Sequence, residues 1–365
     1  MKAIVLAGGF ATRLRPLTLT KPKPLLPILN RPLLDWTLEA LKRSGVEEVY
    51  LAVRYLSDMI RRRYGDGSAL GVSITYEEEV RPLGDAGPIR VIAEKHGFDD
   101  TFLVVYGDVF TDMDVARLVE FHRSKGAEAT MSLVEVEDPS RYGVAVLDED
   151  GRVVGFVEKP RRGEAPSRLV NAGVYVFEPG VVKHIPRGPS KIARELLPRL
   201  VEQGVLYGYV HRGMWSDIGV PKDYMRANME ALRRYHPRGY IDEGAEVSGD
   251  AEIVHPVFVA RGASVGPGAK LGPFAIVGEG ARVGPSVRIS NSIVFGGATI
   301  ECCSVVSGGI VGERCYIGRW VRLEPGTVLG DEVVINDEVF LARNVVVLPF
   351  KEVESSVYEE GRVIL

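Results

Sequence analysis

Leu6-Ala7-Gly8-Gly9-Phe10-Ala11-Thr12-Arg13-Leu14-Arg15-Pro16-Leu17-Thr18, followed after a short gap by Lys23-Pro24-Leu25-Leu26-Pro27, decides how the first part of this chain is read. The apolar run Ala3 to Leu6 has the pattern of a buried first strand, so the glycines fall where the strand ends and the backbone turns. That is the place where open α/β sheets bind ligands. Gly8 and Gly9 lack a Cβ, which lets their amides close around a phosphate, and Arg13, Arg15, Lys21 and Lys23 add four cations to the same loop. A P-loop would end in Gly-Lys-Ser/Thr, and a dinucleotide fingerprint would carry a third glycine; Ala11, Thr12 and Arg13 exclude both. The plain alternative is a glycine turn with ordinary surface cations. The number of cations and the Lys-Pro-Leu-Leu-Pro continuation favour a polyphosphate site instead.

Outward from this loop, strand and helix patterns alternate. Leu33 to Ser44, ended by Gly45, reads as a helix, Glu48 to Val53 as a strand, and Ser57 as the N-cap of a second helix. Val72 to Tyr76, Ala86 to His96, Thr101 to Tyr106, Asp114 to Ser124 and Ala129 to Val134 continue the alternation. The expected fold is α/β, a Rossmann-like, doubly wound, mainly parallel sheet over residues 1–235. After a linker at 236–243 the pattern changes. Val247, Ile253, Val259, Val265, Leu271, Val277, Val283 and Ile289 stand six apart, with small or β-branched residues such as Ala251, Val257, Ala263 and Ala269 two positions ahead. Hexads of this kind specify a parallel β-helix, expected over 244–349 with a tail at 350–365. The frame slips by about a residue near Phe295 to Glu301 and resumes at Leu323.

At 365 residues, with 45% hydrophobic and 26% charged residues, the chain suits two soluble globular domains. A net charge of -4 gives no global case for nucleic acid or membrane surfaces as partners. No apolar stretch has the length of a membrane span or the layout of a signal peptide, so a cytoplasmic location is expected. Cys302, Cys303 and Cys315 form neither a zinc pattern nor a disulfide framework. The histidines make no catalytic constellation.

The glycine loop resembles the signature of sugar-1-phosphate nucleotidylyltransferases, Gly-Gly-x-Gly-Thr-Arg-Leu-x-Pro-Leu-Thr followed by Lys-Pro-Leu, with Ala11 in place of the fourth-position glycine. The methyl group of Ala11 disfavours a strongly positive φ there. Pro82-Leu83-Gly84-Asp85-Ala86-Gly87-Pro88 and Asp217-Ile218-Gly219-Val220-Pro221 are most similar to the guanylyltransferase branch that uses mannose 1-phosphate. The resemblance implies a reaction in which a nucleoside triphosphate and a hexose 1-phosphate give a nucleotide sugar and pyrophosphate, with GTP and mannose 1-phosphate preferred. It implies phosphate handling by Arg13 and Lys23, nucleotide binding by Leu6, Ala7, Gly8, Gly9, Thr12, Glu79, Gly84 and Asp85, and sugar-phosphate binding by Gly143, Glu158, Lys159, Asn171 and Gly173. It also implies Mg²⁺ on Asp108 and Asp217, a left-handed coil, and a homo-oligomer formed through the β-helix.

The bland readings stand beside these. Two carboxylates so far apart in sequence are more often caps or surface charges than ligands, Glu158-Lys159-Pro160 suits a polar turn, and Glu77-Glu78-Glu79 suits a solvated strand end. One of those glutamates would nevertheless match guanine, whose N1 and N2 both donate, whereas thymine and uracil offer one donor. Asp85 stands where the family usually has threonine, and Val80-Arg81 look inserted. Three other functions stay open: a uridylyl- or thymidylyltransferase using glucose 1-phosphate, a bifunctional enzyme that also acetylates an amino sugar with His255 as base, and a non-catalytic nucleotide-sugar-binding relative.

Overall fold

The apolar run after Met1 forms the Lys2–Leu6 strand, buried at its centre and hydrogen-bonded on both sides. Glu48–Val53 and Phe102–Tyr106 flank it in parallel, and Ser73–Glu78 extends the parallel side. These strands read as nearly continuous hydrophobic runs because both faces of this part of the sheet are covered. Beyond Phe102–Tyr106 the sheet becomes mixed, with Leu206–His211 still parallel to Ala129–Glu135. Leu169–Phe177 pairs antiparallel with Phe102–Tyr106, Ala129–Glu135 and Gly143–Leu147, and Val153–Glu158 closes the edge. The helices lie close to their expected places. Leu33–Arg43 ends before Gly45, which takes φ +79°, and Val115–Lys125 is capped by Asp114, whose Oδ1 accepts from the Ala116 amide at 3.1 Å. Ser57 differs from expectation: it is the first residue of its helix and Leu56 holds the cap position.

The computed structural model describes residues 1–365, which divide into two units: Met1–Phe10 with Leu33–Asp217, and Ala11–Pro32 with Ile218–Leu365. The first is the sheet unit. The second contains the hexapeptide coil, the helix Pro221–Tyr235 and the segment that follows the glycine turn. No helix is long and apolar enough to cross a membrane.

In the second unit, short parallel strands stack into three sheets, the walls of a parallel β-helix. Residues of the hexad series, among them Val265, Leu271, Val277, Val283 and Ile289, point inward and are buried in one continuous core. The coil is longer than its sequence pattern. Tyr240–Ile241, inside the expected linker, already pairs with Val257–Val259, and Glu352–Val353 and Val363–Ile364, in the expected tail, pair with Val334–Ile335 and Val346–Val347. The frame slip also resolves into two. Val259 pairs with Val277, but Val277 pairs with Val294 and Val294 with Val311, each step one residue shorter than the first. Both deletions fall at the same corner in consecutive turns. There the buried Ser292 hydroxyl donates to the Ser290 carbonyl at 2.7 Å and accepts from the Gly309 amide at 3.1 Å, satisfying the tightened backbone.

Candidate functional site

Within the sheet unit, the first strand hands over to the glycine turn at Leu6 and Ala7, and the Ala7 amide still bonds to the Ala52 carbonyl at 2.9 Å. A Cβ on Gly8 would lie 2.8 Å from Oε1 of Glu79 and push that carboxylate aside, while a Cβ on Gly9 would meet nothing. The three glutamates therefore separate. Glu77 is held by Lys95 and His96, Glu78 faces Ser57 and Arg61, and Glu79 alone turns toward the glycine turn. Desolvation raises the Glu79 carboxyl above its ordinary range, against the Leu83 amide at 3.2 Å and the nearby Arg54 guanidinium, which pull it down. Arg54 also stacks over Phe10, 4.7 Å from the ring centroid, a neighbour that no motif announced. Val80, part of the apparent insertion, is 97% exposed.

Gly84 and Asp85 serve the loop itself. A Cβ on Gly84, at φ +77°, would lie 2.1 Å from the Ser190 carbonyl oxygen. Asp85 accepts from the Ile192 amide at 2.6 Å and from the Tyr106 hydroxyl at 3.0 Å, and burial raises its carboxyl. Each of its oxygens thus has a partner inside the protein, and Asp85 braces the loop that carries it.

Asp108 follows Gly107, whose amide donates to the Leu6 carbonyl at 2.9 Å, so the second strand end is tied to the first. Asp217 lies in the strand Trp215–Asp217, which pairs antiparallel with Val109–Thr111 and sets Asp217 opposite Val109. This register makes neighbours of two aspartates that are far apart in sequence. No group of three or more His, Cys, Asp or Glu side chains is gathered anywhere to hold a metal. Two carboxylates without a third protein ligand suit an ion that keeps several waters and takes phosphate oxygens.

A third cluster lies on the antiparallel side. Gly143 pairs with Glu158, and a Cβ on it would lie 2.4 Å from Phe156 and 2.9 Å from Glu158 Oε2. Val144 pairs with Val170, so the next step of the ladder brings Asn171 alongside Gly143. The register breaks after Asn171, where Gly173 adopts φ +79° and its amide bonds to Asn171 Oδ1 at 3.1 Å. Asn171 Nδ2 in turn donates to the Tyr175 hydroxyl at 2.6 Å, and Trp215 Nε1 donates to the Ala172 carbonyl at 3.0 Å. Lys159, at φ +50°, holds an ion pair with Glu158 at 3.5 Å. Trp215 and Tyr175 were not singled out from sequence. Their role depends on a β-bulge, and bulges leave no reliable pattern in a single sequence.

The cation loop belongs to the second unit. Ala11, expected to avoid positive φ, takes φ +47° and ψ +43°, a left-handed position that costs an alanine about 1–2 kcal/mol. The Thr18 hydroxyl bonding to its carbonyl at 2.9 Å closes the loop around that conformation. Thr12, Arg13 and Arg15 are exposed, whereas Lys23 is buried at the start of the 3-10 turn Lys23–Leu25. Lys21 departs from its expected place among the phosphate cations: its Nζ lies 2.5 Å from Glu313 and 3.2 Å from Asp331, and its side chain is 6% exposed.

Comparison with known proteins agrees with this layout. A family model described as nucleotidyl transferase matches residues 2–234, and one described as the GMPPB C-terminal domain matches residues 253–364. The chain is 40% identical over 371 residues to the mannose-1-phosphate guanylyltransferase catalytic subunit beta of Xenopus tropicalis, covering 100% of both. It is 38% identical over 364 residues to mannose-1-phosphate guanylyltransferase 1 of Arabidopsis thaliana, covering 98% of both. The crystal structure of HddC from Yersinia pseudotuberculosis complexed with GMP-PN superposes with a TM-score of 0.53 at 29% identity, over 63% of this chain and 98% of that one. A glycine turn faced by one carboxylate, a strand register that sets Asp217 opposite the residue after Asp108, and a family match spanning the whole sheet place this chain in the nucleotidyl transferase family.

Proposed function

We propose that the protein transfers a guanylyl group from GTP to mannose 1-phosphate, releasing pyrophosphate and forming GDP-mannose. The observation that carries the choice of base is the approach of Glu79 to Gly8, since an ionised carboxylate there accepts from both N1–H and N2–H of guanine. The similarity of about 40% to relatives named mannose-1-phosphate guanylyltransferase supports the same choice. A phosphate oxygen of the sugar phosphate attacks the α-phosphorus, the bond to the β-phosphate oxygen breaks, and pyrophosphate leaves. That nucleophile is already ionised and needs no general base. The barrier is the meeting of two polyanions, so orientation and charge neutralisation supply most of the catalysis.

Leu6, Ala7, Gly8, Gly9, Thr12, Glu79, Gly84 and Asp85 hold the nucleotide. Arg13 and Lys23 neutralise the triphosphate and the departing pyrophosphate. Gly143, Glu158, Asn171 and Gly173 hold the sugar, and Lys159 its phosphate. Asp108 and Asp217 fit Mg²⁺, which when bound would draw charge off the phosphates as they meet. Assembly of a homo-oligomer through the β-helix belongs to the same reading, and light scattering on the full chain tests it.

The test of the reaction is a grid of GTP, UTP, dTTP and ATP against mannose 1-phosphate and glucose 1-phosphate, read by pyrophosphate release. GTP with mannose 1-phosphate should be fastest, and Asp108→Asn and Asp217→Asn should lose turnover by orders of magnitude while unfolding like wild type. Preference for dTTP or UTP with glucose 1-phosphate would transfer the assignment to the thymidylyl- or uridylyltransferases.

A further inference from the structure

The segment Ala11–Pro32 carries Arg13 and Lys23 and is gripped at several points by the β-helix and its leading helix. Asp331, 3% exposed on the coil, accepts from the Thr20 hydroxyl at 2.6 Å through Oδ2, which also meets Lys21 Nζ at 3.2 Å. Its Oδ1 accepts from the Glu313 amide at 2.8 Å, and the Glu313 carboxylate lies 2.5 Å from Lys21. The Lys21 ammonium sits 5.2 Å from the centroid of the Phe295 ring. A second grip comes from the helix Pro221–Tyr235, whose inward stripe holds Tyr224, Asn228 and Leu232. Tyr224 donates to the Pro27 carbonyl, and Asn228 Oδ1 accepts from the Leu29 amide at 3.0 Å. A third comes from Asn30, whose Oδ1 accepts from the Glu279 amide at 3.2 Å.

We infer that Asp331 and Glu313 of the β-helix are positioning residues for nucleotidyl transfer, acting through Lys21 to fix the nucleotide-binding cations; the inference rests on the reaction proposed above. A buried ion pair is a weak source of net stability, and its best-attested use is to specify one register. Here the register is passed along a stiff chain. Pro22 and Pro24 lock φ on both sides of Lys23, and the Leu25 amide bonds back to the Pro22 carbonyl at 2.9 Å, so a shift at Lys21 moves Lys23 with it. The β-helix therefore takes part in building the phosphate-handling loop, in addition to any role in assembly.

The experiment uses the full chain with Asp331→Asn, Glu313→Gln, Lys21→Met and the conservative Lys21→Arg. Steady-state kinetics are measured for each substrate well below the melting temperature, together with hydrogen exchange of the Ala11–Leu26 amides. Asp331→Asn and Lys21→Met should raise KM for the nucleoside triphosphate by about tenfold, leave KM for the sugar 1-phosphate within about twofold, and speed exchange across Ala11–Leu26. Lys21→Arg should recover most of the loss. A lower melting temperature with unchanged KM values and unchanged exchange would make Asp331 a fold residue only and overturn the inference. If wild type turns over no substrate pair, the proposed reaction fails, while the exchange measurement still decides whether the coil anchors the loop.

Discussion

With Glu79 reading the base as proposed, one residue sets both specificity and pH dependence. Its carboxyl is raised because burial penalises the charged form, yet the proposed contact with guanine uses that charged form. As pH falls through this raised value the carboxylate takes up a proton and loses an acceptor, so KM for GTP should climb at a higher pH than an ordinary glutamate would produce. In Glu79→Gln that acid limb should be absent, and preference for GTP over ATP should fall about ten- to a hundredfold, the worth of one charge-assisted hydrogen bond. A wild-type KM that stays flat down to the ordinary carboxylate range would remove Glu79 from the base site. Only the family resemblance singled out Glu79 from three consecutive glutamates, because their physical distinction comes from Lys95 and His96 on the helix Gly87–His96 and from Gly8 at the turn. The partners of Asp85, Tyr106 and Ile192, were not legible for a similar reason: tertiary folding sets them.

Among the elements, the strand Leu169–Phe177 carries the largest gap between pattern and structure. Its apolar run reads plainly as a strand, but the break in register after Asn171, which aims that side chain and receives Trp215, is not encoded in alternation. Gly173 is the residue on which the bulge depends. An alanine there would have to hold φ +79° and place its Cβ 2.6 Å from the Tyr106 ring. The left-handed backbone and the overpacking together cost about 2–4 kcal/mol. Gly173→Ala should therefore lower the unfolding free energy from denaturant titration by that amount and raise KM for the sugar 1-phosphate more than for GTP. Wild-type stability in this variant would mean that the bulge relaxes freely, and Asn171 would lose its claim to a fixed orientation. The strand ends at Asp108 and Asp217 were more legible, since a carboxylate closing a strand is visible locally even when its partner is not.

For the whole molecule, the six-residue spacing carried nearly the complete architecture of the coil, because each hexad buries its own side of the core. What the spacing could not carry was membership: the Thr20–Asp331 bond joins residues 311 positions apart, and no local pattern reports such a pairing. The division into units therefore cuts the chain behind Phe10, between the glycine turn and the cation loop that follows it. A solenoid core passes damage between neighbouring turns, so a cavity in one should loosen what is packed in the same unit. Ile317 is fully buried in the middle of the stack, next to the turn that supplies Glu313, and Ile317→Ala should cost about 2–5 kcal/mol. Hydrogen exchange in this variant should then quicken both at the coil amides and at Ala11–Leu26, while the amides of Lys2–Leu6 keep their wild-type protection at temperatures below the melt. Faster exchange confined to the coil, with Ala11–Leu26 unchanged, would show that the cation loop holds its place without the solenoid.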